Sequence, residues 1–141
     1  MEYLVGILLS LGTIVLAAVI GFARERSFYS TVLIVVATYY ILFAAMGASG
    51  RTLTIEIIIA SGFILFALLG FKGNLWLVAA GLMGHGIFDF IRPSLIANPG
   101  VPRWWPGFCM AFDVLFGGWL ALLLLQRRNF PHSGPVDRRA A

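Results

Sequence analysis

Charge is scarce in this sequence. Only 11% of its 141 residues are Asp, Glu, Lys or Arg, whereas 60% are hydrophobic; a soluble domain ordinarily carries about 25% charged residues. A soluble chain of this size must turn much of its surface to water and could not hide so much apolar area within itself. Lipid removes that conflict, because apolar faces then point outward. Cysteine is nearly absent too. The single Cys109 lies in an apolar run, which excludes an intrachain disulfide and a cysteine-rich metal site. Basic residues are not massed: of the ten Lys and Arg, four sit near the end of the chain (Arg127, Arg128, Arg138, Arg139) and the rest occur one or two at a time. Without a stretch of dense basic residues and interleaved aromatics, nucleic-acid binding has no support. The short alternating segments of a transmembrane β-barrel are missing as well.

What the sequence does contain is five apolar runs, at 3–23, 28–48, 52–71, 74–92 and 107–126. Each is about 18–21 residues, enough at 1.5 Å per residue to cross a hydrocarbon core of roughly 30 Å. None shows a clean amphipathic period, as expected of helices surrounded by lipid and by each other. The runs predict an all-α, polytopic membrane bundle of five transmembrane helices over 1–126, followed by a polar, disordered tail over 127–141 that is broken by Pro131 and Pro135. The first run is expected to be a span and not a cleavable signal peptide, since it opens on Met1-Glu2 without a basic n-region and its apolar stretch is too long.

Loop arginines and lysines predict the orientation. With five spans, one side collects Arg24, Arg26, Lys72 and the four tail arginines, and the other only Arg51, Arg92 and Arg103. The C-terminus is therefore expected in the cytoplasm, with the N-terminus and the 93–106 loop external.

The most informative residues are charged or titratable ones inside the apolar runs, each costing about 2.5–3.5 kcal/mol near the centre of a bilayer. Glu56, His85, Asp89 and Asp113 come from the third, fourth and fifth runs, and counted from the external side all four fall in the outer half of the core. Tyr39 and Tyr40 reach a similar level. His85 and Asp89 are spaced i, i+4 and share a helix face that Arg92 continues. Asp89, one turn from His85, is expected to be its ionised partner, whereas Asp113 has no cationic neighbour in its own helix. Such a group can do acid–base work, with His85 as base, Asp89 orienting it, and Glu56 and Asp113 as acid or ligands. It can hold a metal, although no His-Glu-x-x-His is present and the spacings specify no particular ion or cofactor. It can also be a self-satisfied polar contact that locks helices together.

Ala80 and Gly84, and again Ala17 and Gly21, have the small-xxx-small spacing that allows close helix approach, within the bundle or between copies of the chain; Gly117-Gly118 could serve likewise. The 93–106 loop carries Pro93, Pro99, Pro102 and Pro106, with Asn98-Pro99-Gly100 as a turn signal. Trp104 and Trp105 suit the lipid–water interface. The loop reads either as a turn with an aromatic belt or as a rigid lid over the polar cluster. In the second case Arg92 and Arg103, together with Trp104, Trp105, Tyr39 and Tyr40, would face an anionic headgroup or a lipid-like ligand.

The stretch from Arg24-Glu25-Arg26-Ser27-Phe28-Tyr29 through Ala37-Thr38-Tyr39-Tyr40, and that from Gly84-His85-Gly86 through Asp89 and Trp104-Trp105-Pro106 to Asp113, resemble an uncharacterised family of small bacterial multi-pass inner-membrane proteins. The resemblance covers most of the chain except the tail. It implies location and topology, and carries no catalytic role with it. The functions left open are binding of, or chemistry on, a lipid-like ligand, a proton-coupled carrier module, and a structural subunit of a larger membrane complex.

Overall fold

The computed structural model describes residues 1–129, with side chains through Gln126. It is all-helical, and no strand occurs among the described residues. Five helices follow in chain order: α1 (Glu2–Ile20), α2 (Arg26–Gly47), α3 (Gly50–Lys72), α4 (Trp76–Ile91) and α5 (Trp105–Asn129). Four of them, all but α4, are long and apolar enough to cross a membrane. Their free faces are apolar: Leu8, Val15, Leu16 and Val19 of α1 are all exposed.

Local chemistry explains where the helices stop. α1 ends three residues before the expected 23 because Gly21 adopts φ +89°, the left-handed cap that side-chain-bearing residues resist. Ser49 caps α3, its hydroxyl accepting from the Thr52 amide. The Asn74 side chain accepts from the Trp76 amide at the start of α4. α4 gives way to a 3-10 turn at Arg92–Ser94, where Pro93 has no amide hydrogen to continue the ladder. α5 is longer than expected, beginning at Trp105 and running through Asn129. The tail expected from 127 onward thus begins inside α5, and its remainder, 130–141, lies outside the described residues.

Chain neighbours pack as antiparallel pairs, α2 on α3, α3 on α4 and α4 on α5, with α4 the central helix; α1 lies mainly on α5. At one end of the bundle the Arg26 guanidinium donates to the Gly70 and Gly73 carbonyls, tying the start of α2 to the end of α3. At the other end Thr52 donates to the Ala97 carbonyl, Gly100 lies against Gly47, and Gly107 lies against Glu2 and Tyr3. The first of these ends is filled by apolar side chains: Tyr29, Leu33, Val78, Leu82, Phe116 and Leu120 are at most 2% exposed.

Of the small residues singled out for close packing, Ala17 and Gly117 are packed and the others are not. Ala80 is exposed and nothing lies beside Gly84, so that face of α4 points away from the bundle. Gly117 is the packed glycine, with Met83 Cγ 2.8 Å and the Ala79 carbonyl oxygen 3.0 Å from where a Cβ would stand; beside Gly118 there is open space. Ala17 is buried as expected, whereas Gly21 serves as a cap and not as a contact.

Candidate functional site

Opposite the apolar end, the bundle interior holds its charges. Glu56, His85, Asp89, Arg92 and Asp113 are each at most 2% exposed. Aqueous groups held out of water must find one another or remain costly. Here they sort into two groups that meet at Tyr40.

The first group is His85, Asp89 and Asp113. His85 Nδ1 stands 2.7 Å from Asp113 Oδ2 and 3.5 Å from Asp89 Oδ2. The expected pairing with Asp89 is present, but the nearer carboxylate, and the one that hydrogen-bonds the ring, comes from α5. Gly86 makes this possible: a Cβ there would stand 3.1 Å from Asp113 Cβ, Met110 O and Val114 Cγ2, so the missing side chain lets α5 bring its carboxylate up to the imidazole. Phe63 sets its ring edge-on to His85 with centroids 4.8 Å apart, fixing the plane of the imidazole. The Tyr40 hydroxyl and the Cys109 thiol face the Asp89 carboxylate. Neither closes a full hydrogen bond on it: both Asp89 oxygens, and Asp113 Oδ1, are buried without such a partner among the described residues. The three side chains can offer one donor atom each within 4.8 Å of one another.

The second group is Glu56, Arg92 and Asn98. The Arg92 guanidinium is in contact with Glu56 Oε1 and lies over the Tyr40 ring, 3.7 Å from its centroid. Asn98 Nδ2 donates to Glu56 Oε1 at 3.1 Å and to the Tyr40 carbonyl at 3.4 Å, while its Oδ1 accepts from the Gly100 amide at 3.3 Å. Gly100 itself sits against the Phe43 carbonyl, too close for any side chain. Asn98 thus anchors the loop into the bundle, beside the Thr52 hydroxyl that donates to the Ala97 carbonyl. Two expectations are revised. Arg92 turns inward to neutralise Glu56 instead of facing a headgroup, because a buried carboxylate leaves no cheaper countercharge. Glu56, in turn, joins Arg92 and Asn98 and is not among the three grouped ligand atoms.

Two openings adjoin these groups. A cleft of about 490 Å³ is formed by the loop's own residues, among them Arg92, Asn98, the exposed Arg103 and Pro93, Pro99 and Pro102. An apolar groove of about 480 Å³ lies between α1, α2 and α5, because α1 leans on α5. Tyr39, Trp104 and Trp105 form its rim and Cys109 is part of its wall. The Tyr39 and Trp105 rings meet at 5.0 Å, edge to face. Tyr39 and Tyr40 therefore part company, one at the groove and one at the polar centre. Trp104 is exposed, in keeping with an interfacial position.

Asn98 and Cys109 were not singled out as site residues from the sequence. Asn98 reads there only as part of a turn. Cys109 carries a signal that could have been used: it lies i, i+4 from Asp113 and so shares its face of α5. No protein-family model, curated protein or solved structure matches the chain.

Proposed function

We propose that this chain is a five-span integral membrane protein of a bacterial inner membrane, N-terminus external and C-terminus cytoplasmic, that binds a lipid-like ligand at its outer end. The observation that carries this reading is the shared wall: Cys109 lines the apolar groove and also faces Asp89 of the buried polar centre. A groove of about 480 Å³ falls in the usual range of small-molecule sites. It opens sideways on the exposed apolar faces of α1 and α2, where an acyl chain would enter. The rim supplies Trp104 and the neighbouring Arg103, suited to an anionic headgroup.

The five-span count is supported by where the ends lie. α3 finishes at the Arg26 end and α5 begins at the loop end, so α4 must connect them. Its 16 residues cover about 24 Å at helical rise, and the 3-10 turn adds about 6 Å, together close to a hydrocarbon core. The arginine and lysine asymmetry supports the orientation. The apolar packing of Leu33, Leu82, Phe116 and Leu120 at the cytoplasmic end supports access from one end, which favours a ligand site over a two-sided carrier. If the ligand is also a substrate, His85 with its two carboxylates is the acid–base group.

The test is photo-crosslinking. The protein is placed in nanodiscs of bacterial phospholipid containing an acyl-diazirine phospholipid, and adducts are mapped by mass spectrometry. Adducts should concentrate on Val35, Phe108 and Phe112 in the groove, and Val35→Trp should deplete them. An even spread over the exposed faces of α1 and α3 would overturn the reading.

A further inference from the structure

We propose that His85, Asp89 and Asp113 form a site for one divalent first-row transition ion, with Zn²⁺ as its simplest occupant. Three observations converge. The donor atoms come from two helices, and one atom from each side chain lies within 4.8 Å of the others. The His85–Asp89 separation of 3.5 Å is close to the edge of a tetrahedron with bonds near 2.0–2.1 Å, about 3.3 Å. The His85–Asp113 contact of 2.7 Å needs to open by about 0.6 Å when an ion replaces the shared proton. Third, Asp89 is fully buried with both oxygens outside any hydrogen bond among the described residues, and Asp113 Oδ1 is in the same position. Two carboxyl groups in a water-poor interior must either hold protons or meet positive charge. Arg92 is committed to Glu56; a divalent ion with neutral imidazole balances the pair completely.

The ligand set also selects the ion. One imidazole and two carboxylates suit Zn²⁺ or Mn²⁺. Mg²⁺ and Ca²⁺ prefer six or more oxygens, which three side chains holding one nitrogen do not offer. Three protein ligands are typical of a zinc site that keeps a fourth position for water or substrate. Tyr40 and Cys109, facing Asp89, would orient that ligand from behind. The ion is expected whether or not a lipid occupies the groove.

The full chain, purified in detergent without a metal-affinity tag, is titrated with Zn²⁺ by calorimetry. One ion per chain should bind, and excess Mg²⁺ should not displace it. Asp89→Asn and Asp113→Asn should each weaken binding by about a hundredfold, with circular dichroism and gel filtration confirming the fold. His132→Ala, which removes the other histidine of the chain, should leave binding intact. Absence of stoichiometric binding by the wild type overturns the proposal, as does loss on His132→Ala with retention in Asp113→Asn. Should the aspartate variants fail to fold, the Co²⁺-loaded wild type decides. It should show the d–d bands of a four-coordinate nitrogen–oxygen site; a sulfur-to-cobalt charge-transfer band, or no d–d bands, would overturn the assignment. Groove crosslinking is read separately, so either result can fail alone.

Discussion

The two ends of the bundle are built on opposite principles. At the Arg26 end, Leu33, Leu82, Phe116 and Leu120 are buried among apolar neighbours and position is set by shape. At the loop end, Glu56, His85, Asp89, Arg92 and Asp113 are buried just as deeply and position is set by charge and hydrogen bonds. In lipid the difference matters more than in water. Hydrocarbon is as apolar as leucine, so an apolar interior gains only through close packing, while an unpaired charge is penalised heavily. At the apolar end a substitution forfeits packing; at the polar end it strands a charge.

That contrast can be broken most directly at Arg92. Arg92→Leu strands Glu56 and should destabilise by about 3–5 kcal/mol, with Arg92→Leu/Glu56→Leu recovering most of the loss. Unfolding in mixed micelles measures both; a double variant no better than the single one would show that the ion pair is not what holds the loop end. Phe116→Ala tests the other end. Its effect should be smaller, about 3 kcal/mol, the low end of the soluble-core range, because the loss is one of packing and not of transfer from water. If it exceeds Arg92→Leu in the same assay, the two ends do not differ as argued.

Within the polar end, Asp113→Asn should cost about 2 kcal/mol, as for a hydrogen bond between charged groups. Asp89→Asn should cost less, because the nearer carboxylate at 2.7 Å remains in place. Thermal melts of the two variants side by side give the ranking, and the reverse order would return Asp89 to the role of principal partner. The smallest effect belongs to Tyr40→Phe. It keeps the ring beneath Arg92 and removes only a hydroxyl that faces Asp89 without closing a hydrogen bond on it, so a loss below the roughly 0.6 kcal/mol of an average interhelical hydrogen bond is expected. A larger loss in the same melts would mean that the hydroxyl binds Asp89 more tightly than its geometry indicates.

The helices were readable in the sequence because run length and composition are local properties; the boundaries moved by a few residues where Gly21 and Pro93 impose their backbone preferences. The burial of Glu56, His85, Asp89 and Asp113 was readable for the same reason, since charge in an apolar run has nowhere cheaper to go. Their pairing was not. Spacing reveals partners on one helix, so His85 was matched to Asp89, whereas its nearer partner depends on how α5 is rotated against α4. Arg92 continues the His85–Asp89 face in the sequence, but only the position of Glu56 on α3 explains where its guanidinium goes. The face of α4 that packs was hidden for want of amphipathic contrast, and Ala80 with Gly84 proved to lie on the outer side.

The order of synthesis gives α5 a particular place in assembly. Glu56, Arg92 and Asn98 all precede it in the chain, so the α3–α4 hairpin can form with its ion pair in place before α5 packs on it. His85 gains its nearer carboxylate only when Asp113 arrives. The first helix waits as well, since α1 lies mainly on α5 and not on the helix that follows it. α5 is therefore the keystone: it supplies the imidazole with its nearer partner, seats Gly117 against α4 and gives α1 a surface to rest on. A chain halted after Pro106 would hold a neutralised hairpin, an incomplete polar centre and a first helix adrift in lipid.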